Sequence, residues 1–80
     1  MAGLSPARLV SPGRILRREL DARRWSQRRL AGITGLPAKT IAAILRGDEP
    51  ITPEIAAVLA AALGTSVELW VKLEAARRDP

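Results

Sequence analysis

The chain has 80 residues, with thirteen Lys and Arg against eight acids, a net charge of +5, and neither cysteine nor histidine. Eighty residues permit one domain whose core leaves a net stability of about 3–5 kcal/mol. Without cysteine there is no disulfide or thiolate metal site, and without histidine most nucleophile–base pairs are excluded, so no catalytic residue, metal or cofactor is expected and the chain does not read as an enzyme.

Residues 1–11 show no clear period and read as an irregular leader, with Leu9 and Val10 able to dock on the body. Pro12-Gly13 opens a first helix that runs to about Arg23 or Arg24, with Ile15, Leu16 and Leu20 as its apolar stripe. Arg14, Arg17, Arg18 and Asp21 take its wet side, and Glu19 and Arg23 are spaced for a helical ion pair worth a few tenths of a kcal/mol. Trp25, just before Ser26, reads as a staple into the core; stacking on a nucleobase is the alternative.

Ser26 to Gly47 reads as two short helices around a tight turn. Ser26 is a good N-cap, because its hydroxyl can accept from the amides of the first turn. Leu30, Ala31 and Ile33 recur at helical spacing, and Thr34-Gly35-Leu36-Pro37 then breaks the helix. Gly35 supplies the left-handed conformation that ends one helix, and Pro37 suits the start of the next. The second helix carries Ile41, Ile44 and Leu45 on one face and stops at Gly47. A small residue, Ala31, beneath the crossing and a glycine at the corner are what a helix-turn-helix unit requires; its second helix enters the major groove of double-stranded DNA. The alternative is a plain helical hairpin in a small bundle.

Asp48 to Ile51 forms a short loop with a buried Ile51. Thr52-Pro53-Glu54 is a helix start with a hydroxyl cap, a proline and an acid in the first turn. Ile55, Ala56, Leu59, Ala60 and Leu63 form the buried face of this fourth helix, and Gly64 ends it. Thr65 and Glu68 have capping-box spacing for a fifth helix reaching about Arg77, with Leu69, Trp70 and Leu73 as its stripe. Val67 and Val71 widen that stripe beyond what one core needs. Val67, Trp70 and Val71 therefore become the candidate interface of a symmetric homodimer, unless Trp70 closes the chain's own core instead. The expectation is an all-α, compact five-helix domain over residues 12–77, with a frayed tail at 78–80.

Two groups of residues become candidate DNA contacts. Ser26 and Gln27 lie where the helix amides and dipole favour an anion, and Arg28 and Arg46 could flank them as phosphate contacts, although Arg28 also reads as a plain solvated arginine. Lys39 and Thr40 are the polar base readers, with Ala38 and Ala43 offering apolar contact to thymine methyls. Arginine makes up eleven of the basic residues and suits bidentate phosphate and guanine recognition, although abundant Ala and Arg also accompany high-GC codon usage. No apolar run reaches the length of a membrane span and no signal peptide is legible, so a cytoplasmic location without a membrane partner is expected.

The sequence resembles the Xre-type, phage-repressor-like helix-turn-helix proteins, and within them the HigA-type antitoxins of the VapI family. The resemblance runs from Pro12 to about Ala76. It is carried by Pro12-Gly13-Arg14-Ile15-Leu16, Trp25-Ser26-Gln27, Thr34-Gly35-Leu36, Lys39-Thr40-Ile41, Ile44-Leu45-Arg46-Gly47, Ile51-Thr52-Pro53-Glu54 and Leu63-Gly64-Thr65-Ser66 with Trp70. It implies a lambda-repressor-like five-helix fold and a small dimeric autoregulator that binds an operator ahead of its own operon and silences a RelE-like ribonuclease toxin. The alternatives are a toxin-binding interaction module with weak or lost DNA binding, and a stand-alone phage-like repressor. The departures concern the DNA face. Pro37 replaces the usual Ser or Thr cap, Ala38, Ala42 and Ala43 leave few polar readers, Asp48-Glu49 stands where relatives carry basic residues, and Arg29 stands where Glu completes a cap. Together they imply phosphate-dominated binding of modest selectivity, or a protein whose DNA affinity has decayed.

Overall fold

The computed structural model describes residues 11–78. It contains α1 (Pro12–Arg23), α2 (Gln27–Thr34), α3 (Ala38–Arg46), α4 (Pro53–Leu63) and α5 (Val67–Arg78), with no strand among the described residues. The five-helix reading is therefore met, and most boundaries follow from the caps. Ser26 Oγ accepts from the Arg29 amide at 3.0 Å, and Thr52 Oγ1 accepts from the Ile55 amide at 3.2 Å. Ser11, read from sequence as the end of the leader, is the N-cap of α1, its Oγ accepting from the Arg14 amide at 3.4 Å. Arg78, placed in the tail by sequence, is the last residue of α5. The docking of Leu9 and Val10 and the end of the tail lie outside the described residues.

Two local expectations are corrected. The cap of α5 is Ser66, whose Oγ accepts from the Leu69 amide at 3.1 Å. Thr65 is instead drawn into the domain, where its Oγ1 accepts from the Trp70 indole N–H at 2.8 Å. The predicted Thr65–Glu68 box loses to that bond, since an indole buried among leucines must find an acceptor. The second correction is Ile33, which points out of the core and is exposed.

Leu16 and Leu20 of α1, Leu30 of α2, Ile41 and Ile44 of α3, Leu59 of α4 and Trp70 of α5 are all buried in one cluster. The helices thus converge on a single core, with Ile51 sealing it from the loop after α3. At its edge α1 meets the C-terminal end of α3 at unusually short range. A Cβ on Gly13 would lie 2.7 Å from the Ile44 carbonyl oxygen and 2.8 Å from that of Leu45. The second residue of the Pro12-Gly13 opening is glycine because no side chain fits there. This contact, with the direct packing of α2 on α3, sets the pose of α3 against the rest of the fold.

Candidate nucleic-acid interface

The unit formed by α2 and α3 is closed by a turn that one side chain braces. The Thr34 hydroxyl donates to the Leu30 carbonyl at 2.8 Å and accepts from the Leu36 amide at 3.2 Å. Gly35 follows with φ at +81° and donates its amide to the Ala31 carbonyl at 2.8 Å, ending α2. Glycine takes this conformation without the steric penalty of a Cβ. The sequence pointed to Gly35; it gave no sign that Thr34 would bridge both sides of the corner.

At the start of α2, Ser26 and Arg28 are exposed and Gln27 is half-buried. The Ser26 hydroxyl is used as the helix cap, so any anion here would meet the amides of the first turn and the Arg28 guanidinium. Arg28 makes no ion pair with a described residue. Trp25 leads into this end, half-buried against the core as the staple reading expected. The guanidinium carbons of Arg23 and Arg29 each lie 5.6 Å from the centroid of its ring. Two cations over the indole leave it little surface for a base, and Arg29 has found a role there in place of the missing capping carboxylate.

On α3, Ala38 and Lys39 are exposed while Thr40 and Ala43 are half-buried, and Ile41 and Ile44 on the inner face are buried. Lys39 and Ala43 thus lie on the outward side of the helix, with Ala38 and Thr40 toward its two edges. The helix begins without a side-chain cap, because Pro37 can offer only its carbonyl, which accepts from the Thr40 and Ile41 amides at 3.0 and 3.2 Å. Arg46 stands at the far end of α3, about 10 Å along the axis from Lys39. Its Nε donates to Asp48 Oδ2 at 3.0 Å, with both side chains well exposed. An exposed pair of this kind is worth at most about 1 kcal/mol, so Arg46 can exchange Asp48 for another anion, at the cost of leaving a carboxylate nearby. Glu49 is exposed beside it.

The candidate dimer residues divide. Val67 and Val71 are 43% and 47% exposed on α5. Trp70 is fully buried in the chain's own core and bonded to Thr65, which corrects its assignment as an interface anchor. Its ring fills the space between helices and leaves nothing for a partner to cover.

One polar cluster escaped the sequence reading altogether. Glu74 on α5 is 5% exposed and accepts from the Ile51 amide at 3.1 Å and from Arg77 at 3.1 and 3.2 Å, and Arg77 also donates to the Gly47 carbonyl at 3.1 Å. A sequence shows Glu74 and Arg77 only as an ordinary helical pair, since neither far partner is local. Every buried side-chain nitrogen and oxygen among the described residues has a hydrogen-bond partner. No described helix is long and apolar enough to cross a membrane.

Comparison with known proteins agrees with this geometry. The Helix-turn-helix family HTH_3 matches residues 16–70. An uncharacterised HTH-type transcriptional regulator of Escherichia coli K12, YddM, is 32% identical over 63 residues, covering 79% of this chain and 67% of that protein. Among solved structures, an addiction module antidote protein of the HigA family from Coxiella burnetii superposes with a TM-score of 0.79 at 36% identity, over 85% of this chain and 75% of the other. A candidate antidote protein of a plasmid maintenance system from Nostoc punctiforme gives 0.82 at 31% identity, with the same coverage of both chains.

Proposed function

The chain belongs to the helix-turn-helix family, and from that premise we propose that it is a DNA-binding antitoxin that represses its own operon and neutralises a RelE-like ribonuclease toxin. The observation that carries the DNA part is the outer face of α3. There Lys39 is exposed with no ion pair to a described residue, beside Thr40 and Ala43, on a helix whose opposite face is locked into the core. The antitoxin part draws on the two antidote proteins among the structural relatives. Ser26, Gln27, Arg28 and Arg46 contact phosphates; Ala38, Lys39, Thr40 and Ala43 meet base edges. A homodimer built on Val67 and Val71 presents two such units to one face of the duplex.

The test is a titration of the protein against duplex DNA from upstream of its gene, and against scrambled duplex, at roughly 50 and 200 mM salt. Binding that weakens steeply with salt and favours the upstream duplex is expected. Failure to bind either duplex at low salt would leave the second reading, a toxin-binding module that no longer reads DNA. The Arg46–Asp48 pair and the alanines of α3 favour that reading, because both reduce what the helix offers a base or a phosphate. Co-purification with a ribonuclease encoded beside the gene tests the antitoxin half separately.

A further inference from the structure

We infer that Glu74 and Arg77 are positioning residues for DNA binding, fixing from the last helix the point where the recognition helix α3 leaves the DNA surface. The inference rests on the DNA reading above and adds two residues that touch no DNA. Glu74 is the only buried charged side chain among the described residues. Its Oε1 accepts from the Ile51 amide at 3.1 Å and from Arg77 Nε at 3.1 Å, and its Oε2 accepts from Arg77 Nη2 at 3.2 Å. The remaining arm of the guanidinium, Nη1, donates to the Gly47 carbonyl at 3.1 Å. One ion pair on α5 therefore grips both ends of the segment from Gly47 to Ile51.

That segment is the exit of α3. Gly47 caps the helix in the left-handed conformation, at the end where backbone carbonyls lack intrahelical partners, and Ile51 plugs the core. Between them Asp48, Glu49 and Pro50 are exposed, and Asp48 holds Arg46. The Gly47 and Asp48 amides bond back to the Ile44 and Ala43 carbonyls at 3.0 and 2.9 Å, while among the described residues no backbone hydrogen bond holds Glu49 or Pro50 before Ile51 enters the core. With Glu74 buried and Arg77 half-buried, the pair contributes little net stability, since desolvating the carboxylate offsets much of the attraction. What it supplies is a fixed geometry, and every partner of this pair lies on the exit or on the pair itself. Arginine is needed rather than lysine, because a fork of donors can serve the carboxylate and the Gly47 carbonyl together. The pair thus bears on where Asp48 and Glu49, the acids of the exit, stand relative to Arg46 and the face that carries Lys39.

The experiment uses the full chain and its Arg77→Ala, Arg77→Lys and Glu74→Gln variants, at a temperature where circular dichroism shows each one folded. A fluorescent mixed-sequence duplex is titrated at several salt concentrations, and amide exchange is followed from Gly47 to Ile51. Arg77→Ala is expected to bind about tenfold more weakly, a size typical of remote coupling. Its salt slope should match that of the wild type, because no phosphate contact is lost, and exchange along the exit should quicken. Arg77→Lys and Glu74→Gln should fall between. Wild-type affinity in a folded Arg77→Ala protein would overturn the inference, and so would a salt slope shallower by about one, which would make Arg77 a phosphate contact. If Arg77→Ala does not fold, Arg77→Lys decides by the same criteria. A wild type that binds no duplex refutes the DNA reading and this role with it; a wild type that binds while the variants match it refutes the positioning role alone.

Discussion

Arg29 stands where a carboxylate would complete the cap of α2, and its guanidinium packs over Trp25 with that of Arg23. Arg23 also pairs with Glu19 and donates to the Leu63 carbonyl at 2.6 Å, so one arginine ties the end of α1 to the end of α4. These arginines are structural. Of the two candidate phosphate contacts, Arg28 makes no ion pair with a described residue and Arg46 has an acidic partner; Arg14, Arg17, Arg18 and Arg24 are exposed without an ion pair to a described residue as well. The Arg46–Asp48 pair yields a prediction of unusual sign. Asp48→Ala should tighten binding to all duplexes by a few-fold, because it removes a charge that repels phosphate and frees Arg46. The salt slope should steepen by about one. Fluorescence titration of this variant checks it, and unchanged or weaker binding would place Arg46 away from the DNA.

Among the elements, those that announce themselves in sequence do so by their ends. Ser26, Thr52-Pro53, Gly35, Gly47 and Gly64 stand at the caps the structure assigns, and the buried faces of α1 and α4 follow the apolar period. What stayed hidden depends on partners far along the chain. The Gly13 contact with α3 cannot be read from residues thirty positions earlier, whereas the inward Trp70, its N–H taken by Thr65 five residues away, settles an alternative that the sequence left open. Nothing in the sequence marks Glu74 as buried, because the Ile51 amide from which it accepts lies 23 residues away. For the candidate interface the outward positions of α3 were legible, while the brace at Thr34 and the pairing of Arg46 were not, since both depend on local hydroxyl and carboxylate geometry. Gly13 gives the prediction at this scale. Gly13→Ala should destabilise the fold by about 1–3 kcal/mol, the usual cost of overpacking, because two backbone carbonyls block the new methyl group. Urea denaturation followed by circular dichroism measures it; a stability equal to wild type would mean that α1 and α3 can part freely.

For the whole molecule the question is how one small domain gains enough contact with DNA. In the proposed homodimer two copies span half-sites one helical turn, about 34–36 Å, apart, and the exposed Val67 and Val71 offer the same patch on both copies. Since Trp70 is committed to the core, the proposed interface is a shallow aliphatic one. Val71→Glu, on a residue that contributes nothing to the core, should then give a folded monomer by light scattering and weaken DNA binding. A variant that remains dimeric would put the interface elsewhere, and a monomeric wild type would remove the dimer. The central claim, that the outward face of α3 reads DNA, is tested most directly by comparing Lys39→Ala with wild type on upstream and scrambled duplexes at one salt concentration. A base-reading Lys39 predicts a loss of about 1–3 kcal/mol on the upstream duplex with little change on the scrambled one. An equal loss on both, or none on either, would contradict it.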